Sequence, residues 1–151
     1  MSGPAYDLEI IETFRAAPAT VFAAWTDTDR LVQWWRIPGY TTPRDRAAIE
    51  LREGGVWSVT TVSDADGSSI PFRGTIRVAD SPSRLVLSLD NEPSAEAEQH
   101  SEMVIDLVAV AEGTRMEFHH HGFGGADDKA ELQGGYSSVF FPSLAAYLAS
   151  A

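Results

Sequence analysis

The residues with the most obvious chemistry lie in one short run, GTRMEFHHHGF at Gly113 to Phe123, which sets three of the chain's four histidines side by side. Imidazole is the commonest metal ligand, and its ordinary pKa lies near neutrality, so His119, His120 and His121 invite either a metal site or acid-base work. The setting of each ring separates these uses. Thr114, Met116, Phe118 and His120 alternate with Arg115, Glu117, His119 and His121, the pattern of a strand with one buried face. The apolar set must turn inward, which carries His120 toward the interior and leaves His119 and His121 outside. Adjacent rings on opposite faces cannot share an ion. His119 and His121 could chelate one weakly, but structural zinc takes four ligands and catalytic zinc usually three protein ligands. No HExxH pattern accompanies them, so neither a metal nor a cofactor is expected.

Catalysis is left open at His120 alone. The chain has no cysteine and no GxSxG, so no nucleophile, base and orienter can be assembled. His120 is then a hydrogen-bonded core histidine, a group that orients a ligand carbonyl or hydroxyl, or a general base. Glu12 shares strand parity with Ile10 and Phe14. It is either an inward carboxylate that needs a partner, and so a candidate acid-base group beside His120, or an edge residue in water.

The aromatic positions suggest binding. Trp57 shares parity with Val59, Phe72 with Gly74 and Ile76, and Met103 with Ile105 and Leu107, while Tyr136, Phe140 and Tyr147 fall on one helical face. An apolar wall with a few convergent polar groups is the make-up of a small-molecule pocket. The expected lining is Trp35, Trp57, Phe72, Met103, Phe118, His120, Tyr136 and Phe140. REGGVW at Arg52 to Trp57 is no phosphate loop, because neither the Lys-Ser/Thr nor the dinucleotide spacing follows; a glycine pair between strands makes a turn or bulge. The glycines of GFGGADD precede a helix start already occupied by Asp127 and Asp128, which argues against an anion there.

These residues need elements to hold them. YDLEIIETFRA reads as a strand. Pro18 then opens a short helix carrying Val21, Phe22 and Trp25, and Asp27 or Thr28 caps a second through DRLVQWW, ended by Pro38 and Gly39. Adjacent helical residues point about 100° apart, so only one of Trp34 and Trp35 should face the core. The other is expected to close the pocket entrance or to meet a partner subunit, which keeps a homodimer in view. From Ile49 to Phe118 short alternating runs are punctuated by turn residues, predicting a meander of about six antiparallel strands. Asp128 and Glu131 resemble a capping box opening a long amphipathic helix with Tyr136, Val139, Phe140, Leu144, Tyr147 and Leu148 on one face. Pro142 should kink that helix or turn its ring outward. The result is an α+β protein whose curved sheet is covered by its one long helix.

Composition narrows the partners. A single domain over 1–151, with a core of about 6–149, fits the length of 151 residues and their 44% hydrophobic content. With 22 acids against 11 bases the net charge is −11, which repels nucleic acid and anionic membranes. Met1 to Pro4 run directly into YDLEIIETF without a leader-like pattern, and no apolar run approaches the roughly 18 residues of a membrane span. A cytoplasmic location is expected.

Six blocks carry a family resemblance: APATVFAAWTD, the Trp34-Trp35 pair, REGGVW, SPSRLVLS, GTRMEFHHHGF and GGYSSVFFPSLAAYL. In this order they resemble bacterial proteins similar to the C-terminal domain of the activator of the ninety-kilodalton heat-shock chaperone's ATPase. These belong to the START-like SRPBCC superfamily, which also contains the birch-pollen-allergen-like proteins. The resemblance runs from about Ile10 to Leu148. It implies the helix-grip fold, a curved sheet of six to seven strands around the C-terminal helix, with a pocket between them. The superfamily includes hydrophobic-ligand carriers, polyketide cyclases and chaperone activators. The expected partner is therefore a small hydrophobic molecule, lipid-, polyketide- or flavonoid-like. The alternatives are a cyclase- or hydrolase-like enzyme in the same pocket, and a co-chaperone or stress-response protein. Two departures fall on the helix lining the pocket: Tyr136 stands where the family usually has Trp, and Pro142 interrupts a helix that is otherwise continuous.

Overall fold

The computed structural model describes residues 5–89, 101–123 and 134–150. The Asp128-Glu131 capping box and most of GFGGADD lie outside these residues. Strand β1 (Ala5–Phe14) is followed by helices α1 (Pro18–Thr26) and α2 (Thr28–Trp34), then by the short strands β2 (Tyr40–Thr41) and β3 (Ala47–Ile49). The meander continues as β4 (Val56–Ser63), β5 (Ser69–Asp80), β6 (Arg84–Leu89), β7 (Ser101–Val110) and β8 (Gly113–Phe123). A π-helical turn, Tyr136–Phe140, leads into helix α3 (Phe141–Ser150). The eight strands form one antiparallel sheet in the order β1-β8-β7-β6-β5-β4-β2, with β3 also paired to β4. This is the α+β helix-grip architecture expected.

Local chemistry explains the junctions. Pro18 occupies the first turn of α1, where its missing N–H costs nothing. Asp27 caps α2, accepting a hydrogen bond from the Asp29 N–H at 3.0 Å. Gly54 has φ of 82°, and a Cβ on Gly55 would lie 2.1 Å from the Glu50 carbonyl oxygen, so REGGVW is a tight turn that only glycine can make. Pro142 sits in the first turn of α3, its ring exposed as expected.

Alternation along the strands builds the core on one face. Trp57, Val59, Ile76, Leu87 and Met103 are fully buried, with Ile105, Met116 and Phe118 almost or entirely so. Cross-strand rows run over the inner face: Leu8, His120 and Met103, then Ile10, Phe118 and Ile105, then Glu12, Met116 and Leu107. Tyr136, Phe140, Phe141, Leu144 and Leu148 bury the helical side of this core.

The tryptophans differ from expectation. Both Trp34 and Trp35 have no exposed surface, so neither is a lid or a docking residue. Helix α2 ends at Trp34, and Trp35 takes the non-helical angles φ −78° and ψ 81°, which frees its ring from the 100° helical step. The Trp34 indole N–H donates to the Ala24 carbonyl at 2.8 Å, and that of Trp57 to the Trp25 carbonyl at 2.9 Å. Among the described residues no helix is long and apolar enough to cross a membrane.

Candidate functional site

The strand phase of β8 places the three histidines as the alternation requires. His119 Nε2 lies 2.8 Å from Glu9 Oε2, and His121 Nδ1 lies 3.2 Å from Asp7 Oδ1, both on the outer face. His120 points inward and is 4% exposed. Among the described residues no three His, Asp or Glu side chains gather as a metal centre would need.

Opposite His120 stands the first residue of the π turn. The Tyr136 hydroxyl is 2.9 Å from His120 Nδ1, and Tyr136 is 2% exposed. Burial pushes the His120 pKa down to about 4, with the neighbouring His121 charge adding to the effect, so the ring is neutral at ordinary pH. A neutral imidazole either accepts the phenol O–H at Nδ1, carrying its own proton on Nε2, or donates from Nδ1 to the phenol oxygen. The pair is thus a polar bridge between sheet and helix, able to present a donor or an acceptor inside an apolar wall.

That wall is made of rings. Phe118 packs against Tyr136 at 4.6 Å between centroids, Tyr136 lies nearly parallel to Phe141 at 5.7 Å, and Phe140 stacks on Trp35 at 4.3 Å. Trp35 also meets Trp57 and Phe72 edge-on at 5.3 and 5.1 Å. The expected lining residues therefore come together, in two depths. Trp35, Trp57, Met103 and Phe118 are a closed floor with no exposed surface, whereas His120, Tyr136 and Phe140 keep a little and Phe72 is half-buried.

Glu12 is not brought to His120. It pairs with Met116 while His120 pairs with Leu8, four strand positions away, a separation of about 13 Å. Glu12 is half-buried on its own row and cannot be the acid-base partner of His120. The polar group that the structure does bring to His120 is the Tyr136 phenol.

Two wall residues were not singled out from the sequence. Trp25 is fully buried and lies within 6.5 Å, ring to ring, of Trp34, Trp35, Trp57, Phe118 and Phe141. Phe141 is 1% exposed because the backbone N–H of Phe141 bonds the Tyr136 carbonyl five residues back, adding one residue to the turn. That step puts both Phe140 and Phe141 on the inner side. Pro142 is the one sequence signal for it, since a residue without an N–H favours a break in the regular ladder.

Comparison with known proteins agrees with this geometry. The fold matches solved structures from Chromobacterium violaceum (18% identity, 94% of this chain and 96% of that chain, TM-score 0.82) and Rhodobacter sphaeroides (19%, 99% and 98%, 0.80). It also matches the AHSA1 protein of Silicibacter pomeroyi (22%, 95% and 98%, 0.77). At these identities the likeness speaks for the fold. The curated proteins give no match. The model of the family described as Activator of Hsp90 ATPase homolog 1-like protein matches residues 15–149. With that match spanning nearly the whole chain, the protein belongs to the Activator of Hsp90 ATPase homolog 1-like family.

Proposed function

We propose that the protein binds a small hydrophobic or aromatic molecule between the sheet and the C-terminal helix, with the His120-Tyr136 pair holding a carbonyl or hydroxyl of that ligand. The observation that carries this is the 2.9 Å contact between Tyr136 Oη and His120 Nδ1, a buried polar pair set in a wall of rings. A few convergent polar groups on apolar walls orient a ligand without demanding a charge. The floor of Trp35, Trp57, Met103 and Phe118 is closed, so the ligand's polar end meets the protein at the pair and its apolar part displaces rings above that floor. A native mass-spectrometry screen against lipids, flavonoids and polyketides tests this. Binding that weakens about tenfold in Tyr136→Phe, the loss of one buried hydrogen bond, is the expected result. A screen without binders, or affinities indifferent to Tyr136→Phe, would refute it.

The same contact favours one second reading, a cyclase- or hydrolase-like activity in which neutral His120 is the base and Tyr136 its proton partner. Turnover of a bound polyketide or ester that disappears in His120→Gln, with binding retained, would establish it. A co-chaperone role rests on the family's description alone. Stimulation of a bacterial chaperone ATPase is its test.

A further inference from the structure

A cleft of about 370 Å³ lies on the other flank of the π turn, lined by Arg36, Ile37, Pro38, Gly39, Tyr40 and, from the helix, Ser138, Val139 and Ser143. Its size falls within the range of small-molecule sites. We propose that this cleft binds a small aromatic carboxylate carrying a second acceptor oxygen, with the carboxylate on Arg36 and the ring against Ile37, Pro38 and Val139.

The rim is built rather than loose. Gly39 takes φ of 83°, which allows the loop to turn back, and its carbonyl accepts from the Asp64 N–H at 3.0 Å. The Tyr40 N–H donates to the Ile37 carbonyl at 2.9 Å, Thr41 Oγ1 donates to Asp64 Oδ1 at 2.6 Å, and Thr42 Oγ1 donates to the Trp35 carbonyl. On the helical side Ser138 and Ser143 are five residues apart, and the π turn brings both to the cleft.

Charge selects the ligand. In a chain with twice as many acids as bases, Arg36 makes no ion pair among the described residues; Arg15, Arg46, Arg73 and Arg77 share that state, but Arg36 is the one of these five that lines the cleft. A guanidinium with free donors beside two hydroxyls recognises a carboxylate, and does so with two parallel hydrogen bonds when the geometry allows.

A second observation points behind the cleft. Trp35 Nε1 and Thr61 Oγ1 are fully buried and have no hydrogen-bond partner among the described residues. Such groups cost stability unless something satisfies them. Trp35 directly precedes Arg36 and stacks on Phe140, which directly follows Val139, so the chain neighbours of this stacked pair line the cleft. Thr61 lies diagonally across the strand pair from Phe72, the ring that Trp35 meets edge-on. A ligand oxygen entering where Trp35 and Phe140 now stack gives these groups the acceptor they lack.

A matched set of probes on the full chain tests both ends of the ligand. They are 4-benzoylbenzoate, its neutral amide 4-benzoylbenzamide, and 4-benzylbenzoate, in which a methylene replaces the ketone. By calorimetric titration the keto-acid should bind about tenfold tighter than the amide and about fivefold tighter than the methylene analogue. Arg36→Ala should erase the preference for the acid, Arg36→Lys should keep part of it, and Thr61→Val should narrow the preference for the ketone while raising the melting temperature. Photolysis of the benzophenone, whose ketone lies at the inner end, should label Trp35, Thr61, Phe72 or residues 36–40 and 138–143. No binding, equal affinity for acid and amide, an acid preference that survives Arg36→Ala, a ketone preference that survives Thr61→Val, or labelling elsewhere would each overturn the proposal. The inner end shares Trp35 and Phe140 with the ring wall of the proposed pocket, whereas Arg36 and Thr61 belong to this site alone. Acid and ketone preferences that ignore Arg36→Ala and Thr61→Val therefore sink the cleft and leave the other site standing.

Discussion

The two faces of β8 hold the same residue type in opposite conditions. On the outer face His119 and His121 stand with parallel rings 6.0 Å apart, each beside a carboxylate of β1 and partly exposed. One residue away on the inner face, His120 has lost its water, is held neutral, and meets a phenol. The difference shows that a histidine run is not a unit of chemistry. Strand pleat divides it, and desolvation then sets the charge state of the one ring that turns inward.

The largest effect that sharpens this contrast comes from the residues beside the histidines. Phe118→Ala removes a fully buried ring that packs on Tyr136, Trp25 and Phe141, and should cost about 3–5 kcal/mol in urea denaturation. Arg115→Ala, on the outer face beside Glu117, should fall within about 0.5 kcal/mol of wild type. Equal costs would erase the distinction between the faces.

Acid comes next. The folded pKa of His120 is about 4, whereas in the unfolded chain it returns to about 6.5. Above pH 6.5 the ring is neutral in both states and contributes nothing to pH dependence. Between these values the unfolded chain takes up a proton that the folded chain refuses, so stability falls as pH falls, by about 3 kcal/mol on reaching pH 4. Unfolding midpoints at pH 7, 6 and 5 should show this slope in wild type and lose it in His120→Gln. A slope that persists in the variant would place the titration elsewhere.

How much of this was legible follows from which signals are local. The inward turn of His120, Met116 and Phe118 was readable because alternation is a property of one strand. The Trp34-Trp35 expectation failed because the end of a short helix is decided by a single residue's angles, which periodicity averages away. Glu12 carried the right parity and still sits four positions from His120, because register between β1 and β8 depends on residues roughly a hundred apart in sequence. Parity assigns a face; only pairing assigns a neighbour. The one-residue insertion of the π turn escaped for a similar reason, and with it Phe141. The cleft at Arg36 escaped because a loop fixed by turn bonds has no period to read.

Tyr136→Phe acts on the inner face alone and asks whether the polar pair serves the fold or a ligand. Removing the hydroxyl leaves the ring's packing on Phe118 and Phe141 unchanged and costs one hydrogen bond, about 1–2 kcal/mol where a buried partner is left behind. A loss of that size with no change in ligand affinity would make the pair structural.

The smallest effect belongs to the outer face, and its smallness is the point. His119→Ala removes a ring whose partner, Glu9, is more than half exposed, and pairs in that setting are worth about 0–1 kcal/mol and are screened by salt. The expected change is a few tenths of a kcal/mol at low ionic strength, vanishing at about 1 M salt, where the screening length is near 3 Å. The Tyr136→Phe cost should persist at that salt concentration, because its contact is buried and joins two neutral groups. If the two variants respond to salt alike, desolvation does not separate the faces of β8, and the neutral His120 on which the ligand and acid-base readings rest loses its physical cause.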